Sequence, residues 1–214
     1  MSSLWRQKQL EYSFRRGLMQ CYENFDACTQ RALQFTLRTF KIDLSEHEQI
    51  RLLSDYLNLP AFPDAVSALQ ALQASGYLLL AFSNGVENSL RTLLDRAGIL
   101  PYLAGIVSVD PIKTFKPSPD VYDYLVSKAG RDREDTWLIS ANPFDIIGAK
   151  AASLRAAWIH RAPEAIFDPW EFEPDVIVTS LSELGAELPE HSRQRNLSPR
   201  RHPIDGGRDP DRTV

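Results

Sequence analysis

Short apolar runs alternate with helix-like segments through the second half of the chain, and this alternation constrains the fold most strongly. The run at 77–82 contains no charged residue and is typical of a strand that is buried on both faces of a parallel sheet. The other predicted strands are 106–109, 136–139, 156–159 and 176–178, and the helices between them are 87–97, 118–128 and 145–152. This spacing predicts an α/β fold built on a doubly wound parallel sheet.

The first 60 residues carry only helix signals. Apolar residues recur at helical spacing from Leu4 onward, a second helix is predicted at Phe25–Phe40, and Ser45 with Glu48 forms a capping-box pattern that begins a third. We predict that residues 1–60 form a helical cap lobe over an α/β core at 61–188. Residues 189–214 are polar and rich in arginine, and we predict that they are a disordered tail.

Composition and charge exclude several classes of function. Hydrophobic residues make up 43% of the chain and charged residues 24%, which is ordinary for a soluble globular protein. The net charge of −4 arises from mixed signs, so neither a nucleic-acid nor a membrane partner is predicted. The apolar run at 77–82 is far too short to cross a bilayer. The two cysteines are predicted to be free thiols, which suits a reducing cytoplasm.

Polar side chains follow three of the predicted strands, where an open parallel sheet binds its ligands. They are Ser83, Asn84, Lys116, Ser140, Asn142 and Asp145. Each has a plainer explanation when taken alone. Ser83 or Asn84 would cap a helix, Lys116 would be a solvated loop residue, and Asp145 would complement a helix dipole. Because they recur at successive strand ends, we predict one shared site.

The same motifs resemble, in the same order, those of the haloacid dehalogenase superfamily. The string at 4–12 (LWRQKQLEY) and the Ser-x-Asn-x-x-Asp loop at 140–145 are specific to its type II (S)-2-haloacid dehalogenases, whereas Lys116-Pro117 alone is a weak signal. The segments 44–60, 83–85 and 108–111 are similar to the same enzymes, and the resemblance extends from about residue 3 to about 185. It implies a haloacid dehalogenase-like, Rossmann-like sheet beneath a helical cap.

The resemblance also implies an activity. It is the hydrolysis of short-chain (S)-2-haloalkanoic acids to 2-hydroxy acids through an aspartyl ester, with no cofactor and no metal. The implied catalytic residues are Arg6, Lys116, Ser140, Asn142 and Asp145. The implied substrate-binding residues are Leu10, Phe25, Ser83, Asn84, Tyr122 and Phe144. The implied partner is a small-molecule 2-haloacid, and a homodimer is consistent with the family.

The roles of these residues follow from the resemblance. Arg6 would face the leaving halide, and Leu10, one helical turn further, would share that face. Phe25 and Phe144 would line the halogen pocket, and Ser83 and Asn84 would hold the substrate. Lys116, Tyr122 and Ser140 would support the nucleophile. Asn142 and Asp145 would order the hydrolytic water.

The front of the chain departs from the family. Family members begin with an apolar strand that ends in Asp-x-Tyr-Gly-Thr, and this sequence has no counterpart of it before the string at 4–12. We therefore expect the sheet to lack its first strand and the chain to lack the nucleophilic aspartate. Two explanations stay open: a fragment of an ordinary dehalogenase, or a shortened chain that is an inactive remnant or a binding protein. In either case we expect no turnover of (S)-2-chloropropionate.

A phosphatase is the alternative within the superfamily. Phosphatases of this kind bind magnesium, which prefers several negatively charged oxygen ligands. Ser140 and Asn142 occupy positions where such a site favours acids, and only Asp145 remains. Since displacement of an alkyl halide needs no metal, this loop favours dehalogenation. Close relatives carry tryptophan where Phe144 stands, so the apolar wall is kept, an indole donor is lost, and the halogen preference is expected to shift.

Overall fold

The computed structural model describes residues 1–188, and in this range parallel strands and helices alternate behind a helical front end. The helices are α1 (Ser2–Leu18), α2 (Phe25–Phe40), α3 (Glu46–Asp55), α4 (Ala65–Ala74), α5 (Glu87–Arg96), α6 (Pro119–Ala129), α7 (Pro143–Ala151) and α8 (Leu184–Glu187). The strands are β1 (Leu80–Ser83), β2 (Gly105–Ser108), β3 (Trp137–Ser140), β4 (Arg155–Ile159) and β5 (Val176–Val178). The predicted tail at 189–214 lies outside the described residues.

The helical front end is organised by local sequence signals and by one buried helix face. The Asn24 side chain accepts a hydrogen bond from the Ala27 amide at 2.9 Å and so caps α2, which has the bounds predicted from the sequence. The predicted capping box of α3 is present. The buried face of α2 packs against α1, and the Trp5 indole donates to the carbonyl of Thr29 at 2.9 Å. These contacts fix the face of α1 that carries Arg6.

Two separate parts make up the parallel sheet. β1 pairs with β2, and β3 pairs with β4, which in turn pairs with β5. Every pair is parallel, and the registers end at Ser83 beside Ser108 and at Ser140 beside Trp158. The predicted α/β class is therefore confirmed. No helix within residues 1–188 is long and apolar enough to span a membrane.

One expectation about β1 is wrong. The run at 77–82 was expected to form a strand with both faces covered, but β1 begins only at Leu80 and its four residues are half-buried. The preceding Leu78 is 44% exposed. β1 is only half-buried because, within the described range, it has a paired neighbour on one side only. The same is true of β3, which pairs with β4 alone. Residues 156–159 of β4, which has a strand on each side, are fully buried.

A polar contact joins the front end to the sheet. The Tyr22 hydroxyl, on the connection between α1 and α2, donates to Asp110 at 2.6 Å just after β2. The Tyr22 ring stacks on Phe115, with centroids 5.0 Å apart. The hydrogen bond holds the pKa of Asp110 below its ordinary value. This contact therefore helps to hold the helices over the carboxyl ends of the strands.

Candidate active site

A cavity of about 750 Å³ lies where the front-end helices face the carboxyl end of β1 and the start of α7. We call it the main cavity. It brings together nine of the eleven residues predicted for the site, namely Arg6, Leu10, Phe25, Ser83, Asn84, Lys116, Asn142, Phe144 and Asp145. The other two, Tyr122 and Ser140, are not part of its lining. A single concave site with mixed apolar and polar walls is the usual form of a small-molecule site.

An ion pair is buried at the base of the main cavity. The Lys116 ammonium lies 3.2 Å from Asp145 Oδ2, and the two side chains are only 6% and 8% exposed. The same ammonium donates to the Phe82 carbonyl at 3.0 Å and lies 3.8 Å from the centre of the Phe82 ring. Burial lowers the pKa of Lys116, because it disfavours the charged form, and the Asp145 carboxylate opposes that shift. Lys116 is thus not the solvated loop residue of the plainer explanation.

Tyr122 lies beneath this ion pair. Its side chain is fully buried, and its hydroxyl is 3.4 Å from the Asp145 carbonyl oxygen and 3.5 Å from Asp145 Oδ1. Burial and the nearby carboxylate raise the pKa of Tyr122. Gly148 makes room for it, since a Cβ there would lie 2.8 Å from Pro117 Cβ and closer still to the tyrosine hydroxyl. The structure therefore places Tyr122 against Asp145 rather than on the cavity wall.

Ser140 shapes the loop between β3 and α7. Its hydroxyl oxygen accepts hydrogen bonds from the Asn142 amide at 3.1 Å and from Asn142 Nδ2 at 3.4 Å. The Asn142 side chain lines the main cavity, whereas Ser140 lines a neighbouring cavity between β1 and β3. Asn142 is the residue before α7, and Asp145 belongs to the first turn of that helix. Ser140 consequently holds the loop that carries Asn142 to the main cavity.

Ser83 and Asn84 do not cap α5, so the plainer explanation for them is wrong. The residue before α5 is Val86, and no side chain caps this helix. The Ser83 hydroxyl instead accepts from the Gly85 amide at 3.1 Å. The Asn84 side chain is buried, and its Oδ1 accepts from the backbone amide of Lys116 at 3.0 Å. Asn84 therefore fixes the loop that carries the buried lysine.

Arg6 is held by a residue that the sequence did not single out. Its Nη1 donates to Gln9 Oε1 at 2.7 Å, and Gln9 Nε2 donates to Thr29 Oγ1 at 2.6 Å. Gln9 is 1% exposed, so its amide is oriented by these two bonds. The sequence carries one signal for Gln9: it follows Arg6 by three positions on α1, and residues at that spacing lie side by side on a helix.

The main cavity also has an apolar wall that the sequence reading missed. Besides the two predicted phenylalanines, the side chains of Leu53, Tyr56, Leu57, Leu90 and Leu93 line it. They come from α3, the turn after it, and α5. In the sequence they look like ordinary packing residues of amphipathic helices, and only the fold brings them to one cavity.

Metal-ligating side chains are sparse in this region. Within residues 1–188, no group of three or more histidine, cysteine, aspartate or glutamate side chains is arranged to hold a metal ion. The carboxylates that line the main cavity are Asp26 and Asp145. Asp26 accepts a hydrogen bond from the Ser89 hydroxyl at 2.8 Å in an exposed position, and Asp145 pairs with the buried lysine.

Known proteins have sequences related to this chain. A family model described as haloacid dehalogenase-like hydrolase matches residues 4–153. A haloacetate dehalogenase from Moraxella sp. (strain B) is 37% identical over 178 residues, which are 83% of this chain and 79% of that protein. An (S)-2-haloacid dehalogenase from Pseudomonas sp. (strain YL) is 36% identical over 181 residues, which are 85% of this chain and 78% of that protein.

Solved structures agree with this relationship. The L-2-haloacid dehalogenase from Xanthobacter autotrophicus with covalently bound chloropropionic acid superposes with a TM-score of 0.78 at 30% identity, covering 86% of this chain and 83% of that one. Another dehalogenase structure gives a TM-score of 0.82 at 35% identity, covering 87% of this chain and 82% of that one. With a family model over more than half of its length and relatives above 30% identity, the chain belongs to the haloacid dehalogenase-like hydrolases.

Proposed function

We propose that this site is built for the hydrolysis of short-chain (S)-2-haloalkanoic acids to 2-hydroxy acids through an aspartyl ester, with the nucleophilic aspartate supplied from outside the described residues. One observation carries the proposal: the fixed guanidinium of Arg6 lines the same apolar cavity as the buried Lys116–Asp145 pair. A halide that leaves into an apolar cavity needs a preorganised cation where its charge accumulates. The relatives named as 2-haloacid dehalogenases support the same chemistry.

The proposed reaction has two steps. A carboxylate oxygen forms a bond to the halogen-bearing carbon while the carbon–halogen bond breaks, and the halide leaves with the bonding electrons towards Arg6. Water then attacks the ester carbonyl, which restores the carboxylate and releases the 2-hydroxy acid and one proton. We assign Asn142 and Asp145 to the ordering of that water, with Phe25 and Phe144 around the halogen. The covalent chloropropionic acid in the Xanthobacter structure supports an ester intermediate.

The attacking carboxylate is the unusual part of the proposal. Asp145 is engaged by Lys116 and Tyr122, and Asp26 is held by Ser89 at the rim. Both carboxylates that line the main cavity therefore already have side-chain partners. We therefore propose that the nucleophilic aspartate is not among the residues that the structure describes.

Phosphate ester hydrolysis with magnesium fits these residues poorly. Magnesium prefers several anionic oxygen ligands in octahedral geometry. The loop after β3 offers the neutral Ser140 and Asn142, and its one carboxylate, Asp145, is already neutralised by an ammonium at 3.2 Å. The donor set therefore favours halide displacement over a metal-dependent reaction.

Binding and turnover test the proposal separately. Titration calorimetry with (S)- and (R)-2-chloropropionate should show preferential binding of the (S) acid. Arg6→Met should weaken this binding about tenfold or more, because a charge-assisted hydrogen bond contributes about 1.5–3 kcal/mol. Arg15→Met is the matched control on α1, because Arg15 is 63% exposed and does not line the main cavity.

The outcomes are distinct. We expect no chloride release from the purified chain, and measured release would contradict the assignment of the nucleophile. Absence of 2-chloropropionate binding, together with magnesium-dependent hydrolysis of p-nitrophenyl phosphate, would contradict the dehalogenase proposal itself. Equal loss of binding in Arg6→Met and Arg15→Met would remove the role given to Arg6.

A further inference from the structure

Arg6 stands at one end of a series of hydrogen bonds that crosses from α1 to α2. Its Nη1 donates to Gln9 Oε1 at 2.7 Å, and Gln9 Nε2 donates to Thr29 Oγ1 at 2.6 Å. The Thr29 hydroxyl in turn donates to the Phe25 carbonyl at 2.8 Å, within α2. We call this series the Gln9 bridge. Arg6, Phe25 and Thr29 line the main cavity, whereas Gln9 lies behind its wall.

The chemistry of the Gln9 bridge allows one direction for its hydrogen bonds. A carbonyl oxygen only accepts, so the single proton of the Thr29 hydroxyl points to Phe25, and the hydroxyl oxygen is left to accept from the NH2 group of Gln9. The amide oxygen of Gln9 consequently faces Arg6, whose guanidinium has donors and no acceptor. With the amide turned over, donor would meet donor at Arg6. The Tyr56 hydroxyl lies 3.5 Å from both polar atoms of the Gln9 amide and favours neither direction.

Burial makes the Gln9 bridge hard to break. Gln9 is 1% exposed and Thr29 is 6% exposed. Because water does not reach these groups, breaking one of the bonds leaves a buried polar atom unpaired, which costs more than an exposed bond would. The Trp5 indole, which donates to the Thr29 carbonyl at 2.9 Å, holds α1 against α2 at the same place. The Gln9 amide therefore has one stable orientation.

The bridge gives Arg6 a neutral partner. Among the residues that the structure describes, no carboxylate forms an ion pair with Arg6. The other arginines of α1 differ, since Arg15 pairs with Glu11 and Arg16 pairs with Glu23. A carboxylate beside Arg6 would offset the charge that attracts an anion, whereas an amide holds the guanidinium and leaves its charge available.

We propose that Gln9 is a positioning residue of this site: it fixes the orientation of the Arg6 guanidinium from behind the cavity wall and leaves the full charge for the departing halide. The identity of that anion rests on the proposed function, but the orienting of Arg6 does not. Because Gln9 does not line the main cavity, it acts on a ligand through Arg6. A donor that is already oriented stabilises developing charge without reorganising during the reaction.

Nitrogen-15 relaxation of the arginine side chains tests the orienting role without any haloacid. The Arg6 Nε–H signal is identified by its absence from Arg6→Met. Its order parameter should fall by at least about 0.2 in Gln9→Met and in Thr29→Val, on a scale where rigid groups give about 0.85 and flexible ones less than about 0.6. Thr29→Ser keeps the hydroxyl and should keep the wild-type order. Gln7→Met is the matched control, because Gln7 is exposed on the same helix.

Titration calorimetry with (S)-2-chloropropionate tests the consequence for the ligand. Gln9→Met should weaken binding about fivefold, which corresponds to the net contribution of one hydrogen bond. In the Arg6→Met background the same substitution should weaken binding by less than about twofold, since residues that act through one another are not additive. Gln9→Glu should keep Arg6 ordered yet weaken binding about tenfold, because the carboxylate offsets the guanidinium charge.

Each result decides a stated part of the proposal. An unchanged order parameter in Gln9→Met, an equal fall in Gln7→Met, or additive losses of binding in the double variant would overturn it. If Gln9→Met does not fold, the comparison of Thr29→Val with Thr29→Ser decides, and equal order in these two would overturn it. Wild-type binding by Gln9→Glu would overturn the part given to the neutral amide. Absence of 2-chloropropionate binding by the wild type would instead contradict the proposed function, and the order parameters would still decide the role of Gln9.

Discussion

Removal of the Lys116 charge is the perturbation whose consequence the structure defines best. Lys116→Met keeps most of the aliphatic stem and removes the ammonium that lies 3.2 Å from Asp145. The Asp145 carboxylate would remain in a site where its side chain is 8% exposed, and the Phe82 carbonyl would lose its donor. Breaking a buried ion pair from one side costs about 3–5 kcal/mol, because a buried charge is left uncompensated.

The expected loss of unfolding free energy is therefore about 4 kcal/mol. At about 2–4 °C per kcal/mol for a chain of this size, the midpoint of thermal unfolding should fall by about 8–16 °C. In the double variant Lys116→Met with Asp145→Asn no charge remains buried, so the loss should be smaller than in the single variant. The coupling between the two sites should be about 2 kcal/mol, within the range measured for residues in contact.

Urea unfolding of the wild type, both single variants and the double variant measures this coupling. Lys113→Met is the matched control, because Lys113 forms an ion pair with Asp110 at 3.1 Å but is 58% exposed. That exposed pair should contribute at most about 1 kcal/mol. If Lys116→Met is no more destabilising than Lys113→Met, or if the two site variants are additive, the buried pair does not hold the base of the cavity.

Two further perturbations address the packing beneath the ion pair and the contact between the front end and the sheet. Gly148→Ala should destabilise the protein by about 1–3 kcal/mol in urea unfolding, because the added Cβ would overlap the Tyr122 hydroxyl. Gly17→Ala is the control and should cost no unfolding free energy, because its Cβ would meet only ordinary van der Waals contacts. Equal losses of unfolding free energy in the two variants would contradict this reasoning. Tyr22→Phe removes the hydrogen bond that holds the Asp110 pKa below its ordinary 3.8. The hydrogen bond from Tyr22 stabilises the fold at pH values above 3.8, and its contribution to stability is lost as the pH falls through the lowered pKa of Asp110. The difference in thermal midpoint from the wild type should thus narrow between pH 7 and pH 3, and a constant difference would contradict the assignment.

The parts of the fold that could be predicted from the sequence are those with local causes. The bounds of α2 and the start of α3 follow from capping residues and from apolar spacing, which act within a few residues. The parallel class of the sheet follows from the alternation of strands and helices. The half-buried state of β1 could not be predicted from the run at 77–82, because burial depends on which strands pair with it, and pairing is set by residues far away in the sequence.

In the candidate site, too, some features could be predicted from the sequence and others depend on residues far away in the chain. Three loops at strand ends were predicted to meet, and residues from each of them line one cavity because parallel strands end on one edge, although Ser140 of the third loop lies outside that lining. Gln9 could not be singled out, since a neutral amide in an amphipathic helix gives no signal until its neighbours on α2 are known. Tyr122 was grouped with residues that contact substrate, yet it lies beneath the cavity against Asp145. Its depth is set by Gly148, whose importance appears only in three dimensions. The catalytic and binding roles of all these residues remain predictions.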